Sequence, residues 1–205
     1  MPAPVKLLVA SSNPGKLREY QLLAAGSPLE LAFIPDFASL PKFDETAPTF
    51  AENAAGKAQH YSKFSSELIL VDDSGLVVPA LGGAPGIHSA RYAGPGASDA
   101  DRVRKLLLEM QGMKGEERHA RFVCIAAVAR SGRVVAALSD FAEGLITTEP
   151  RGTDGFGYDP IFFFEQLGRT YAETTREEKN RFSHRGKAFR KVIAFLTSSQ
   201  PDSFF

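Results

Sequence analysis

Apolar and polar positions along this chain change period several times, and each change marks an element. Val5 to Ala10 (VKLLVA) is a short apolar run with a loop after it, which predicts a buried strand. From Pro14, a residue suited to a first helical turn, Leu17, Tyr20 and Leu23–Ala24 recur at helical spacing. Leu29 to Ile34 (LELAFI) reads as a second strand. Thr49 and Glu52 have capping-box spacing, and Phe50, Ala54, Ala58 and Tyr61 form one apolar stripe, so a helix is expected from about Phe50 to Phe64. Leu68 to Val71 (LILV) is the next strand, ending at Asp72-Asp73-Ser74-Gly75. After a breaker-rich stretch, LGGAPGIHSARYAGPGA, Ser98 caps a helix with Val103, Leu106, Leu107 and Met110 on its inner face. RFVCIAAVAR and RVVAALSDF, joined at Ser131-Gly132, make an antiparallel hairpin. The glycine-rich segment PRGTDGFGYDPIFFF leads into an aromatic strand, and Ser183 caps a last helix with Ala188, Val192, Phe195 and Leu196 inward. Strands and helices alternate first and a hairpin follows, which predicts a mixed α/β sheet rather than a purely parallel one.

Composition narrows the class. A chain of 205 residues suits one domain or two close-packed lobes, and 43% hydrophobic residues supply a sizeable core. Lys+Arg and Asp+Glu both total 24, so the formal net charge is zero. That weighs against a general nucleic-acid or membrane-surface binder and leaves room for local basic clusters holding a small anion. The single cysteine, Cys124, excludes an internal disulfide and reads as a small buried hydrophobe. The N-terminal stretch lacks the pattern of a signal peptide, and the longest apolar run, about eight residues, is far short of the ~20 that span a bilayer. A soluble cytoplasmic protein is expected. The terminal pair Phe204-Phe205 has no account from sequence.

Four stretches carry candidate chemistry. SSNPGK resembles half of a Walker A loop, but Ala10 stands at the first glycine position and Leu17 where a hydroxyl would hold magnesium. What survives is a strand–turn–helix start whose free N–H groups favour an anion, with Ser11, Ser12, Asn13 and Lys16 beside it. An ordinary turn with a capping Asn and a solvated Lys fits equally. Asp72 and Asp73 follow a buried strand, and as adjacent strand residues they point to opposite faces and do not share one task. With Glu45 they offer the one or two carboxylates that magnesium prefers; a plain polar turn is the alternative. In GTDGFGYDP, Gly152, Gly155 and Gly157 allow close backbone approach, Phe156 and Tyr158 could stack on a planar base, and Asp159 could accept from a ring N–H; a turn packed by its own aromatics fits as well. Last, His184 and Arg185 fall in the first turn of the final helix, where positive charge opposes the helix dipole, so an anion or polar ligand would explain them. His60, His88 and His119 show no ligand-like spacing, and no zinc site is expected.

In order, SSNPGK, ETAPTFAENAAGKA, DDSGL with LGGAPGIHSARYAG, PRGTDGFGYDPIF and KNRFSHRGKA resemble the inosine/xanthosine triphosphate pyrophosphatases, the Ham1-like family, from about Val5 to Leu196. The resemblance implies one nucleoside triphosphate pyrophosphatase domain over residues 1–205, an elongated mixed α/β sheet flanked by helices, with two lobes and an active-site cleft between them. It implies a homodimer that hydrolyses ITP, dITP or XTP to the monophosphate and pyrophosphate with Mg2+. Carried over, Ser11, Ser12, Asn13, Pro14, Gly15 and Lys16 bind the triphosphate. Asp73 is the catalytic acid and a metal ligand, Glu45 is metal-linked, and Ser74 contacts substrate. Phe156, Gly157, Tyr158, Asp159, Lys179, His184 and Arg185 match the nucleotide-binding set, while Lys57 and Asn53 stand where the helix faces the phosphates. The family commonly has Gly after Glu-Thr, where this chain has Ala47, a residue that resists a positive φ. With an ordinary aspartate pKa near 4, Asp73 would be ionised at neutral pH. A nucleotide sensor without turnover, or a hydrolase of pyrimidine or methylated triphosphates, are the competing readings.

Overall fold

The computed structural model describes residues 4–198, and Phe204-Phe205 lie outside them. In chain order the elements are β1 (Val5–Val9), α1 (Pro14–Ala24), β2 (Leu29–Phe33), α2 (Phe50–Tyr61), β3 (Leu68–Val77), α3 (Asp99–Glu109), β4 (His119–Arg130), β5 (Arg133–Ile146), β6 (Phe162–Phe164), β7 (Arg169–Thr170), α4 (Arg176–Phe182) and α5 (His184–Ser198), with short 3-10 turns between them. The strands form a sheet in the order β2-β1-β3-β4-β5-β6-β7. β1 runs parallel to β2 and β3, whereas β6 is antiparallel to β5 and β7, so the sheet is mixed as expected. Among the described residues no helix is long and apolar enough to cross a membrane.

The chain divides into two compact units, one built from the segment up to Asp73, Cys124–Asp140 and the segment from Arg185 on, the other from Ser74–Val123 and Phe141–His184. In the first unit β1 and the adjoining parts of β3 and β4 bury side chains on both faces. Leu7, Val9, Leu68, Leu70, Cys124, Ala126 and Val128 pack with Tyr20 of α1 and Ala188, Phe189 and Val192 of α5. Their strand neighbours Leu8, Ala10, Ile69, Val71, Ala127 and Ala129 pack with Ala54, Ala58 and Tyr61 of α2. The two sets alternate with period two, which is why the sequence shows continuous apolar runs here. The second unit has its own core, in which Val103, Leu106 and Met110 of α3 meet Leu76, Phe122, Ile146, Tyr158, Phe162 and Tyr171.

Three details differ from the sequence reading. β3 does not end at Val71 but continues through Asp72-Asp73-Ser74-Gly75 to Val77, so the paired acids lie mid-strand and not in a polar turn. The helix expected to Phe64 closes at Tyr61 and gives way to a 3-10 turn, Ser62–Phe64. α4 was not anticipated, although Thr175 accepts from Glu178 N–H and Glu178 returns to Thr175 N–H in a full capping box.

Candidate active site

The first unit holds a cluster of acids and lysines assembled from α1, α2, β3 and the loop before α2. One face of α2 straps that loop down. Asn53 Oδ1 accepts from Ala47 N–H at 3.0 Å while its Nδ2 donates to Ala47 O at 3.3 Å. Lys57 Nζ donates to Glu45 Oε1 at 2.6 Å, His60 Nε2 lies 2.8 Å from Pro41 O, and Tyr61 OH accepts from Phe43 N–H at 3.4 Å. Residues 53, 57, 60 and 61 share a helix face, so one amphipathic stripe fixes the loop bearing Glu45. Gly56 completes it: a Cβ there would stand 2.7 Å from Phe43 Cζ, which explains a glycine inside a helix. Asp36 and Ser131 are the non-glycine residues with positive φ among those described, so Ala47 has an ordinary backbone and its departure from glycine strains nothing.

A buried ion network joins α1, β3 and α5. Lys16 Nζ sits 2.9 Å from Asp72 Oδ2, and the same oxygen is 3.2 Å from an Arg185 guanidinium nitrogen. Arg185 also reaches Glu19 Oε2 at 2.5 Å, and its side chain is 2% exposed. Burial alone would push the Asp72 carboxyl up, but Lys16 and Arg185 outweigh it and hold Asp72 well below the usual carboxylate range. The Cys124 thiol, 3.9 Å from Asp72, is pushed far up by burial and by that charge, which makes it an inert packing residue.

Asp73, the next residue, lives in the opposite field. Burial, then the charge of Glu45, push its carboxyl up to about 6, against the partial relief of Lys16 and Lys57. This corrects the expectation of an ordinary aspartate. Its Oδ2 is buried without a hydrogen-bond donor from the described residues. An orphaned carboxylate oxygen beside a second acid is what a hard divalent cation would satisfy, and Mg2+ needs no more than one or two such groups. Among the described residues no cluster of three or more His, Cys, Asp or Glu side chains is arranged to hold a metal.

The opening loop is a capped turn. Asn13 Oδ1 accepts from the N–H groups of Gly15 and Lys16, at 2.9 and 3.1 Å, and Ser11 Oγ accepts from Asn13 N–H. Those helix-start amides are therefore engaged within the turn, whereas Ser12, Asn13 and Pro14 are exposed. Lys16 is not a solvated lysine but the partner of Asp72.

The second unit gathers the other predicted set. Asp159 Oδ2 accepts from Phe156 N–H at 2.8 Å and from Lys179 Nζ at 2.5 Å. A Cβ on Gly155, at φ 79°, would stand 2.2 Å from that oxygen, so only glycine lets the loop close on Asp159. The Lys179 ammonium lies 4.7 Å from the centroid of the partly exposed Phe156 ring. Tyr158 OH donates to Ser89 O at 2.9 Å, and His184 stacks on Phe122 with ring centroids 4.7 Å apart. Tyr158, Asp159, Lys179 and His184 are buried, and Phe156 and Gly157 are the more open members.

Glu45, Lys57, Lys16 and Asp73 thus gather in the first unit, with half-buried Ser74 following Asp73 in β3. Arg185, expected on the nucleotide, is bonded to Glu19 and Asp72, and Asn53, expected to face phosphates, clamps Ala47. Sequence reading missed Glu19. Its signal was an acid on the same helical stripe as Lys16, Tyr20 and Leu23, a core position that a charge occupies only with a partner.

Comparison with known proteins places this geometry in a class. The Ham1 family model matches residues 7–195, so the chain belongs to the Ham1 family. Among its relatives, the dITP/XTP pyrophosphatase of Geobacillus kaustophilus is 47% identical over 187 residues, covering 91% of this chain and 92% of that protein. The dITP/XTP pyrophosphatase of Bacillus subtilis is 39% identical, covering 92% and 96%. The solved HAM1 protein of Coxiella burnetii has a TM-score of 0.83 and 42% identity over 95% of this chain and all of that one.

Proposed function

We propose that this protein is a Mg2+-dependent nucleoside triphosphate pyrophosphohydrolase that converts dITP, ITP and XTP to the monophosphate and pyrophosphate. The observation that carries the reading is Asp73: a buried carboxylate raised to about 6, with one oxygen unbonded, between Glu45 and the ammonium groups of Lys16 and Lys57. Relatives named dITP/XTP pyrophosphatases, covering over nine-tenths of the chain, supply the substrate class.

Asp73 and Glu45 would hold Mg2+, which when bound offsets charge on the phosphate oxygens. Lys16 and Lys57 add positive charge at the same place. Asp73 is the group that takes a proton from the attacking water, and its buried oxygen without a donor among the described residues is the acceptor. The water oxygen bonds to the α-phosphorus, and the bridging oxygen leaves with pyrophosphate. The base is assigned to the Phe156–Asp159 loop, where the partly exposed Phe156 ring offers a stacking face. Buried Lys179 and Asp159 support that loop. Donors aimed at the 6-oxo group would face the amino group of adenine and go unpaired, at about 1–3 kcal/mol each. From the family resemblance we carry over a homodimer working in the cytoplasm, without nucleic-acid or membrane partners.

The test is a pyrophosphate-release assay over dITP, ITP, XTP and the ordinary triphosphates, with and without Mg2+. Turnover of dITP and XTP to pyrophosphate, abolished by chelation, is expected. Release of orthophosphate, preference for dTTP or UTP, or tight binding without turnover would each overturn the reading.

A further inference from the structure

We propose that Asp99, the first residue of α3, is a positioning residue for the Phe156–Asp159 loop and thereby governs how tightly the purine base is held. The inference rests on the reading that this loop meets the base. Its foundation is a single charge-assisted bond: Gly157 N–H donates to Asp99 Oδ2 at 2.7 Å.

The acceptor is held firmly. Asp99 pairs through Oδ1 with Arg102, whose guanidinium also donates to Ala90 O at 3.0 Å and Ala97 O at 2.6 Å. Ser98 and Asp101 close a capping box around the same turn. On the loop side, the neighbouring amide of Phe156 is taken by Asp159. Two successive N–H groups are thus held by two carboxylates, one inside the loop and one from α3. Packing ties the loop to α3 through Tyr158, which shares a core with Val103 and Leu106, but not at Gly157. A groove of about 590 Å3, lined by Val103 and Leu107 of α3 and by Pro150, Gly152 and Pro160, runs between the helix and the loop beside this bond. An acid at a helix start is ordinarily explained by the helix dipole. That explanation requires no bond to Gly157, and Asp101 in the same turn would serve it.

The experiment compares D99A, D99N and wild type by hydrogen–deuterium exchange over residues 152–159 and by steady-state kinetics on dITP and XTP. Asparagine keeps an acceptor oxygen for Gly157 N–H; alanine does not. In D99A the loop amides should exchange at least tenfold faster, KM should rise about tenfold and kcat should stay within about twofold, while inhibition by inorganic pyrophosphate is unchanged. D99N should restore most of the loss. Unchanged KM in D99A beside an active wild type, an equal defect in D99N, or a parallel shift in pyrophosphate inhibition would overturn the proposal. Absence of turnover in the wild type would instead overturn the functional reading, and the exchange comparison would still decide whether Asp99 holds the loop.

Discussion

Asp72 and Asp73 are consecutive residues of one strand, and the fold drives their carboxyl groups in opposite directions. Asp72 is held well down by Lys16 and Arg185 once burial is overcome, whereas burial and Glu45 lift Asp73 to about 6. Strand geometry turns neighbouring side chains to opposite faces, so one acid anchors a buried network and the other keeps a buried oxygen with no donor among the described residues.

Replacing Asp73 separates stability from activity. A carboxyl raised from about 4 in the unfolded chain to about 6 in the native one is a net destabiliser once ionised, on the order of 2–3 kcal/mol above pH 6. D73N should therefore stabilise the metal-free protein at pH 7.5 by about 1–3 kcal/mol while lowering pyrophosphate release more than a hundredfold. The stability gain should shrink between pH 6 and 4 and vanish below. Urea unfolding across this pH range checks it, and a D73N protein less stable than wild type at pH 7.5 would refute it.

The charge of Glu45 is the second cause of the rise at Asp73. In chelator-treated protein, carbon NMR of the Asp73 carboxyl should show a midpoint near 6 in wild type and a lower one in E45Q. Mg2+ should lower the wild-type midpoint as well, because a cation favours the ionised form. An Asp73 midpoint unmoved in E45Q would place Glu45 too far away to act on it.

Arg185 compensates Asp72 and Glu19 at 2% exposure, so R185A leaves two buried carboxylates short of a partner. The expected loss is about 3–5 kcal/mol. Because the native pKa of Asp72 is depressed, its share of stability is present above the ordinary carboxylate range and disappears as pH falls through and below it. Wild type should therefore weaken steeply under acid and R185A less so. A loss below 1 kcal/mol in R185A would mean that water or Lys16 replaces the guanidinium.

Gly56 and Asn53 test the strap on the Glu45 loop. Alanine at an exposed helix interior gains about 1 kcal/mol over glycine, but at Gly56 the new Cβ meets the Phe43 ring at 2.7 Å and must displace it. G56A should leave the melting temperature within a few degrees and raise the Mg2+ needed for half-maximal activity about three- to tenfold. N53A, which frees both polar groups of Ala47, should do the same and also cost about 1–3 kcal/mol. Unchanged Mg2+ dependence in both variants would detach the loop from the metal.

Much of this was legible beforehand where the physics is local. The continuous apolar runs VKLLVA, LILV and FVCIAAVA mark strands covered on both sides, and Thr49-x-x-Glu52 marks the start of α2. The capping box of Thr175 and Glu178 was equally available and announces α4. The motif order placed the chain in its family, and Asp73, Glu45, Lys16 and Lys57 were all legible as residue types. Pairing was not legible. SSNPGK suggested free amides for an anion, yet Asn13 takes two of them, and Arg185 looked ready for a ligand, yet meets Glu19 and Asp72 from 166 and 113 positions away.

The sequence by itself determined the class of elements, their order, the family and the identity of the acids and lysines, because periodicity, caps and motifs act over a few residues. The tertiary structure alone decided which acid is spent on a buried network and which is left with an unbonded oxygen, because desolvation and charge depend on residues brought together across the sheet. Asp72 and Asp73 are the same amino acid in the same strand; only the folded surroundings, Arg185 behind one and Glu45 beside the other, make them different.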